Sequence, residues 1–81
     1  MHMPFGLKYM ISFRGYPSWD IKTKNQALEK VLHDRIETLI TYEYEDAIDI
    51  LVADIKESLE YYEEHEEFEI CVLLKDLLDN L

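Results

Sequence analysis

The chain has 81 residues, with 18 Asp and Glu against 8 Lys and Arg, a formal charge of −10 and 48% hydrophobic residues. A chain this short buries roughly two-thirds of its unfolded surface, which supports one core and excludes a second domain. Its apolar content argues against intrinsic disorder, and no apolar run approaches the roughly 18 residues of a membrane span.

Residues 1–81 therefore form one domain, divided into an N-terminal strand or arm with its loop (1–19) and a helical body (20–81). Leu7 to Phe13 alternate, with Leu7, Tyr9, Ile11 and Phe13 on one face and Lys8, Met10 and Ser12 on the other. That period predicts a half-buried strand, with Phe5 extending the same face. Gly15, Pro17 and Ser18 then end it. No second alternating segment exists to pair with this strand. Either it docks as an extended arm on the helices, or it pairs with its equivalent in a second subunit, with Leu7, Tyr9, Ile11 and Phe13 at a homodimer contact.

Beyond this loop there is no further Gly or Pro, and good helix formers dominate. Thr23 and Gln26 have capping-box spacing. Ala27, Leu28, Val31, Leu32, Ile36, Leu39 and Ile40 form one apolar stripe, predicting a helix from about Lys24 to Thr41. A second stripe runs through Ala47, Ile48, Leu51, Ile55, Leu59 and Tyr62. A third comprises Phe68, Cys71, Val72, Leu74, Leu77, Leu78 and Leu81. Breaks fall near Tyr42 to Tyr44 and near Glu64 to Glu67, so the fold class is mostly α: an N-terminal strand followed by a three-helix bundle. The alternative joins the first two stripes into one helix of about 60 Å, too long for a small domain without dimerisation.

From Met1 to Lys24 the chain carries four cations against one acid, a balance of +3, whereas from Asn25 to Leu81 it carries four against 17, a balance of −13. The densest stretch, Glu43 to Glu69, sets 12 acids against Lys56 alone. A surface of that sign repels phosphate and disfavours direct nucleic-acid binding by the helical body.

Glu67-Phe68-Glu69, small Cys71, then Leu74-Lys75-Asp76-Leu77-Leu78 form the start of the last helix. This short stretch near the C-terminus, with the turn before it, resembles the UVR motif, the helical hairpin of UvrB and UvrC that also occurs in bacterial stress regulators. It departs from that pattern at Cys71, Val72 and Leu73, which make the helix more apolar. The resemblance implies association with another protein rather than catalysis. In physical terms, the aromatic is expected to pin the hairpin turn, Glu69 to meet the helix dipole, and Cys71 to let two helices approach. Tyr44-Glu45-Asp46-Ala47 shows the same opening at the start of the second stripe.

Catalytic constellations are missing. His65 and Glu69, like His33 and Glu37, lie four apart, but neither His follows a Glu by three, as di-iron bundles require, and the second His of a zinc protease motif is Glu69. Cys71 lies on an apolar stripe, where a buried, inert thiol is expected, and as the lone Cys it suits a reducing, cytoplasmic setting. No catalytic, cofactor or metal residue is assigned, and the chain reads as a non-enzyme. Six tyrosines are many for this length; of the neighbours Tyr61 and Tyr62 one must face outward. The expected function is a small adaptor or inhibitor binding a protein partner through Glu60, Tyr61, Glu63, Glu64 and Glu67. The alternative is nucleic-acid mimicry, suited to a phage or mobile-element inhibitor, in which Glu60 with Glu64 and Glu63 with Glu67 imitate phosphates at about 6 Å spacing.

Overall fold

A computed structural model describes residues 6–39 and 43–81; Phe5, Ile40 and Tyr42 lie outside them. The elements are α1 (Leu7–Met10), running directly into a 3₁₀ turn (Ile11–Phe13), a second 3₁₀ turn (Tyr16–Ser18), α2 (Ile21–Thr38), α3 (Tyr44–Glu64) and α4 (Phe68–Asp79). Among the described residues there is no strand.

The N-terminal strand is thus corrected to helical turns. An isolated extended segment leaves its donors and acceptors unpaired, whereas helical turns satisfy their own. Here Tyr9 and Met10 N–H donate to the Gly6 carbonyl (3.1 and 2.9 Å), Arg14 N–H to Ile11 and Trp19 N–H to Tyr16. The residues facing the core are then Met10, Phe13 and Tyr16, three apart. Met10, assigned to the outer face by alternation, is fully buried. The strand-pairing route to a homodimer falls with the strand: Phe13 is in the core, Tyr9 is half-buried, Ile11 is exposed, and Leu7 has its backbone in α1 while its side chain lies outside the described part.

Arg14 (φ −59°, ψ 139°) and Gly15 (φ 89°, ψ −6°) have the central angles of a type II turn, which requires Gly at its third position. Asp20, in extended conformation, precedes α2, and its carboxylate accepts from the Thr23 hydroxyl. The helix therefore starts at Ile21 rather than Lys24, and Thr23 sits inside its first turn instead of capping it with Gln26.

α2 ends at Thr38 and α3 opens afresh at Tyr44, so the two are separate helices. The long axis of the molecule, 35 Å, has no room for the single rod that would join them. α3 and α4 begin in the same way, each on the aromatic of the internal repeat with an acid in its first turn.

α4 is the centre of the bundle, packed on α3, α2 and both N-terminal turns. Ile70, Cys71, Leu73, Leu74 and Leu77 are buried, against Leu51, Ile55 and Tyr62 of α3, Ala27, Leu28 and Val31 of α2, and Met10, Phe13 and Tyr16. A helix covered on three sides buries a wider arc than a surface helix. For that reason Ile70 and Leu73, off the expected stripe, are fully buried, while Phe68 and Val72, on it, are exposed. Ile36 of the first stripe is also 45% exposed. No helix among the described residues is long and apolar enough to cross a membrane.

Candidate functional site

The end of the α3–α4 hairpin combines exposed aromatics, carboxylates and a strained backbone. α3 stops because Glu66 turns left-handed (φ 58°). Glu66 N–H then donates to the Glu63 carbonyl (3.1 Å) and Glu67 N–H to that of Tyr62 (2.9 Å), the two bonds of a Schellman motif. Gly normally occupies the left-handed position, where a side chain is disfavoured. A second local rule is broken beside it. Glu60, Glu63 and Glu64 crowd the last turns of α3 with no base in the last turn, at the helix end whose dipole disfavours anions.

Phe68 does not pin this turn. It is 62% exposed, and the backbone bonds just described hold the chain reversal instead. The small Cys71 does sit between the helices, its Sγ 4.0 Å from the Leu59 carbonyl oxygen. Burial, reinforced by Glu63, raises its thiol pKa and makes it a poor nucleophile.

The five residues expected to bind a partner divide between two flanks and the turn. Glu60, Tyr61 and Glu64, joined by Glu57, line one groove of about 270 Å³. Tyr61 is 38% exposed, and its ring stacks on His65 with centroids 4.2 Å apart. The His65 ring in turn lies with Nδ1 2.8 Å from the Tyr61 carbonyl; a carbonyl only accepts, so Nδ1 carries the proton. Tyr62, edge-on to Tyr61, is fully buried, which settles which neighbour faces outward. Burial, with smaller contributions from Tyr61 and Glu67, pushes the Tyr62 phenol up to about 12.

Glu63 belongs to the opposite flank. There it lines a groove of about 450 Å³ with Phe68, Cys71, Val72 and Lys75, and its carboxylate is 3.9 Å from the Lys75 ammonium. Glu67, at the turn itself, accepts both ends of a guanidinium fork: Arg14 Nη2 donates to its Oε1, and Nε to its Oε2 at 3.2 Å. Arg14 is presented by the type II turn, so the basic N-terminal segment reaches the acidic hairpin through this side chain.

Two further carboxylates fasten the same segment. Tyr16, fully buried, donates its hydroxyl to Asp76 of α4 (2.6 Å), and Tyr9 donates to Asp34 of α2 (2.8 Å). Burial first, and the Asp34 bond second, push the Tyr9 phenol up to about 12; that bond, with Lys30 assisting, holds the Asp34 carboxyl below its usual range. His33 lies 3.2 Å from Glu37, and no three His, Cys, Asp or Glu side chains among the described residues are placed to share a metal ion.

Sequence reasoning missed Glu57, Phe68, Val72, Lys75 and Arg14 as part of this surface. One signal could have found three of them. Ile70, Leu73, Leu74 and Leu77 match the i, i+3, i+4, i+7 template, which puts Phe68, Val72 and Lys75 on the opposite face. Comparison with known protein families, with characterised proteins and with solved structures found no match for this chain.

Proposed function

We propose that this chain is a small interaction module, an adaptor or inhibitor that acts by binding another protein with the end of its α3–α4 hairpin rather than by catalysis. The observation that carries this reading is the exposure of Phe68 beside Glu63 on one flank of the hairpin end, with Tyr61 open among Glu57, Glu60 and Glu64 on the other. A large aromatic left outside a packed core costs the free chain solvation and gives a bound partner an anchor. The left-handed Glu66 and the acids at the α3 C-terminus add to it, because departures from local preference concentrate where function demands them. The likeness of Glu67 to Leu78 to the UVR hairpin, itself a protein-binding element, points the same way.

Mimicry of nucleic acid is the second reading, and the Glu57, Glu60 and Glu64 groove favours it. The other acidic row does not, since Lys75 approaches Glu63 and Arg14 holds Glu67. The test is capture of partners from cell extract by the intact chain, repeated with Phe68→Ser and with Glu60 and Glu64 reversed to Lys. Both changes are expected to reduce retention of the specific partner, and added salt to weaken it. A partner held equally well by both variants would place binding elsewhere, and displacement by duplex DNA would favour mimicry.

A further inference from the structure

The Arg14–Glu67 pair joins the basic segment to the acidic turn, and its geometry shows which ligand chemistry that turn accepts. A guanidinium meets both carboxylate oxygens of Glu67, the fork that distinguishes Arg from the point charge of Lys. The pair is open to solvent, with the Arg14 and Glu67 side chains 44% and 25% exposed. Residues 6–20 do not depend on it for their docking. Met10, Phe13 and Tyr16 are in the core, and the Tyr9–Asp34 and Tyr16–Asp76 bonds remain when Arg14 swings away.

We infer that Arg14 is an internal occupant of the hairpin's binding surface, and that the partner presents an arginine-bearing basic segment whose guanidinium displaces it from Glu67. This rests on the proposed reading of the hairpin as a binding surface and gives that surface a partner chemistry and a built-in restraint. Charge complementarity supports the choice: Glu63, Glu64 and Glu66 lie near the turn, and while Lys75 only approaches Glu63, at 3.9 Å, the group that engages the Glu67 carboxylate at both oxygens is an arginine. The restraint follows from competition. If the site is free for only part of the time, the apparent affinity falls by that fraction, and removing the occupant restores it.

The experiment titrates a fluorescent peptide of alternating Arg and Ser residues against the full chain at low salt, read by polarisation. Arg14→Gln is compared with Lys22→Gln, which makes the same change in charge at an exposed position on the first turn of α2. An exposed ion pair is worth little, so Arg14→Gln is expected to tighten binding roughly two- to five-fold, and Lys22→Gln by clearly less. Adding Glu67→Gln to Arg14→Gln should abolish the gain. Trp19 fluorescence and far-ultraviolet dichroism confirm that each variant keeps its fold. Equal gains from Arg14→Gln and Lys22→Gln would overturn the inference and leave the proposed function standing, because only the net charge would then matter. Absence of binding by every variant would remove the basic partner as well.

Discussion

Two regions of this molecule use aromatic residues in opposite ways. In the N-terminal turns, Phe13 and Tyr16 are buried, Trp19 is half-buried against them, and Tyr9 and Tyr16 each direct a hydroxyl to a carboxylate on a different helix. At the hairpin end, Phe68 is the most exposed aromatic among the described side chains and Tyr61 lies open in an acidic groove. The first set holds the chain together; the second is left over from folding. The difference teaches that aromatic content alone does not locate an interface, since what matters is which rings the core leaves uncovered.

The largest effect that would break this contrast comes from truncating one ring in each region. Tyr16→Ala empties a fully buried site and removes the bond to Asp76, and is expected to cost about 3–5 kcal/mol in urea denaturation. Phe68→Ala should stay within about 0.5 kcal/mol of wild type. Comparable losses from the two would mean that Phe68 also supports the fold and is not free for a partner.

Alkaline titration sharpens the same contrast. Burial raises the phenols of Tyr9 and Tyr62 to about 12 and that of Tyr16 higher still, from an ordinary value of 10. A raised folded-state pKa contributes stability that is complete below about 10 and is lost as pH rises through the folded value, because the unfolded chain ionises first. Stability should therefore be level up to about pH 10 and fall beyond it. Tyrosinate absorbance of these three residues should appear together with loss of the helical dichroism. Full ionisation of all six tyrosines near pH 10 with the helices intact would show that the N-terminal rings are not enclosed.

The helical body was legible in the sequence because its three stripes have helical spacing and its breaks coincide with a repeated opening, Tyr44-Glu45 and Phe68-Glu69. The N-terminal segment misled because Leu7, Tyr9, Ile11 and Phe13 alternate by composition, while Met10 and Tyr16, each three positions from Phe13, carry the packing. Period-two patterning signals a strand only where a neighbouring strand can complete its hydrogen bonds, and this chain supplied none. The acidic groove around Tyr61 was partly legible from helix spacing. The Arg14–Glu67 pair was not, since it joins positions far apart in the chain, and the turn that Gly15 signals does not tell what the Arg14 side chain meets.

Backbone substitutions give smaller effects and test the two regions from another side. Each region contains one left-handed residue: Gly15 in the N-terminal type II turn and Glu66 in the hairpin. Gly15→Ala places a Cβ 3.5 Å from the Trp19 ring nitrogen, an ordinary contact, so the cost lies in the backbone and should be about 1–2 kcal/mol.

Glu66→Gly should do the reverse. It relieves a left-handed side-chain penalty of roughly 1–2 kcal/mol, against about 0.5–1 kcal/mol of added freedom in the unfolded chain. It also removes an anion from the negative end of the α3 dipole, a further few tenths of a kcal/mol at most, as exposed charges there are screened. The net expectation is a gain of about 0.5–1 kcal/mol in urea denaturation, with unchanged helical dichroism. A loss would mean that the Glu66 side chain supports the turn through contacts that outweigh its backbone strain. A gain in stability with weaker partner binding would show why the hairpin keeps a glutamate where folding alone favours glycine.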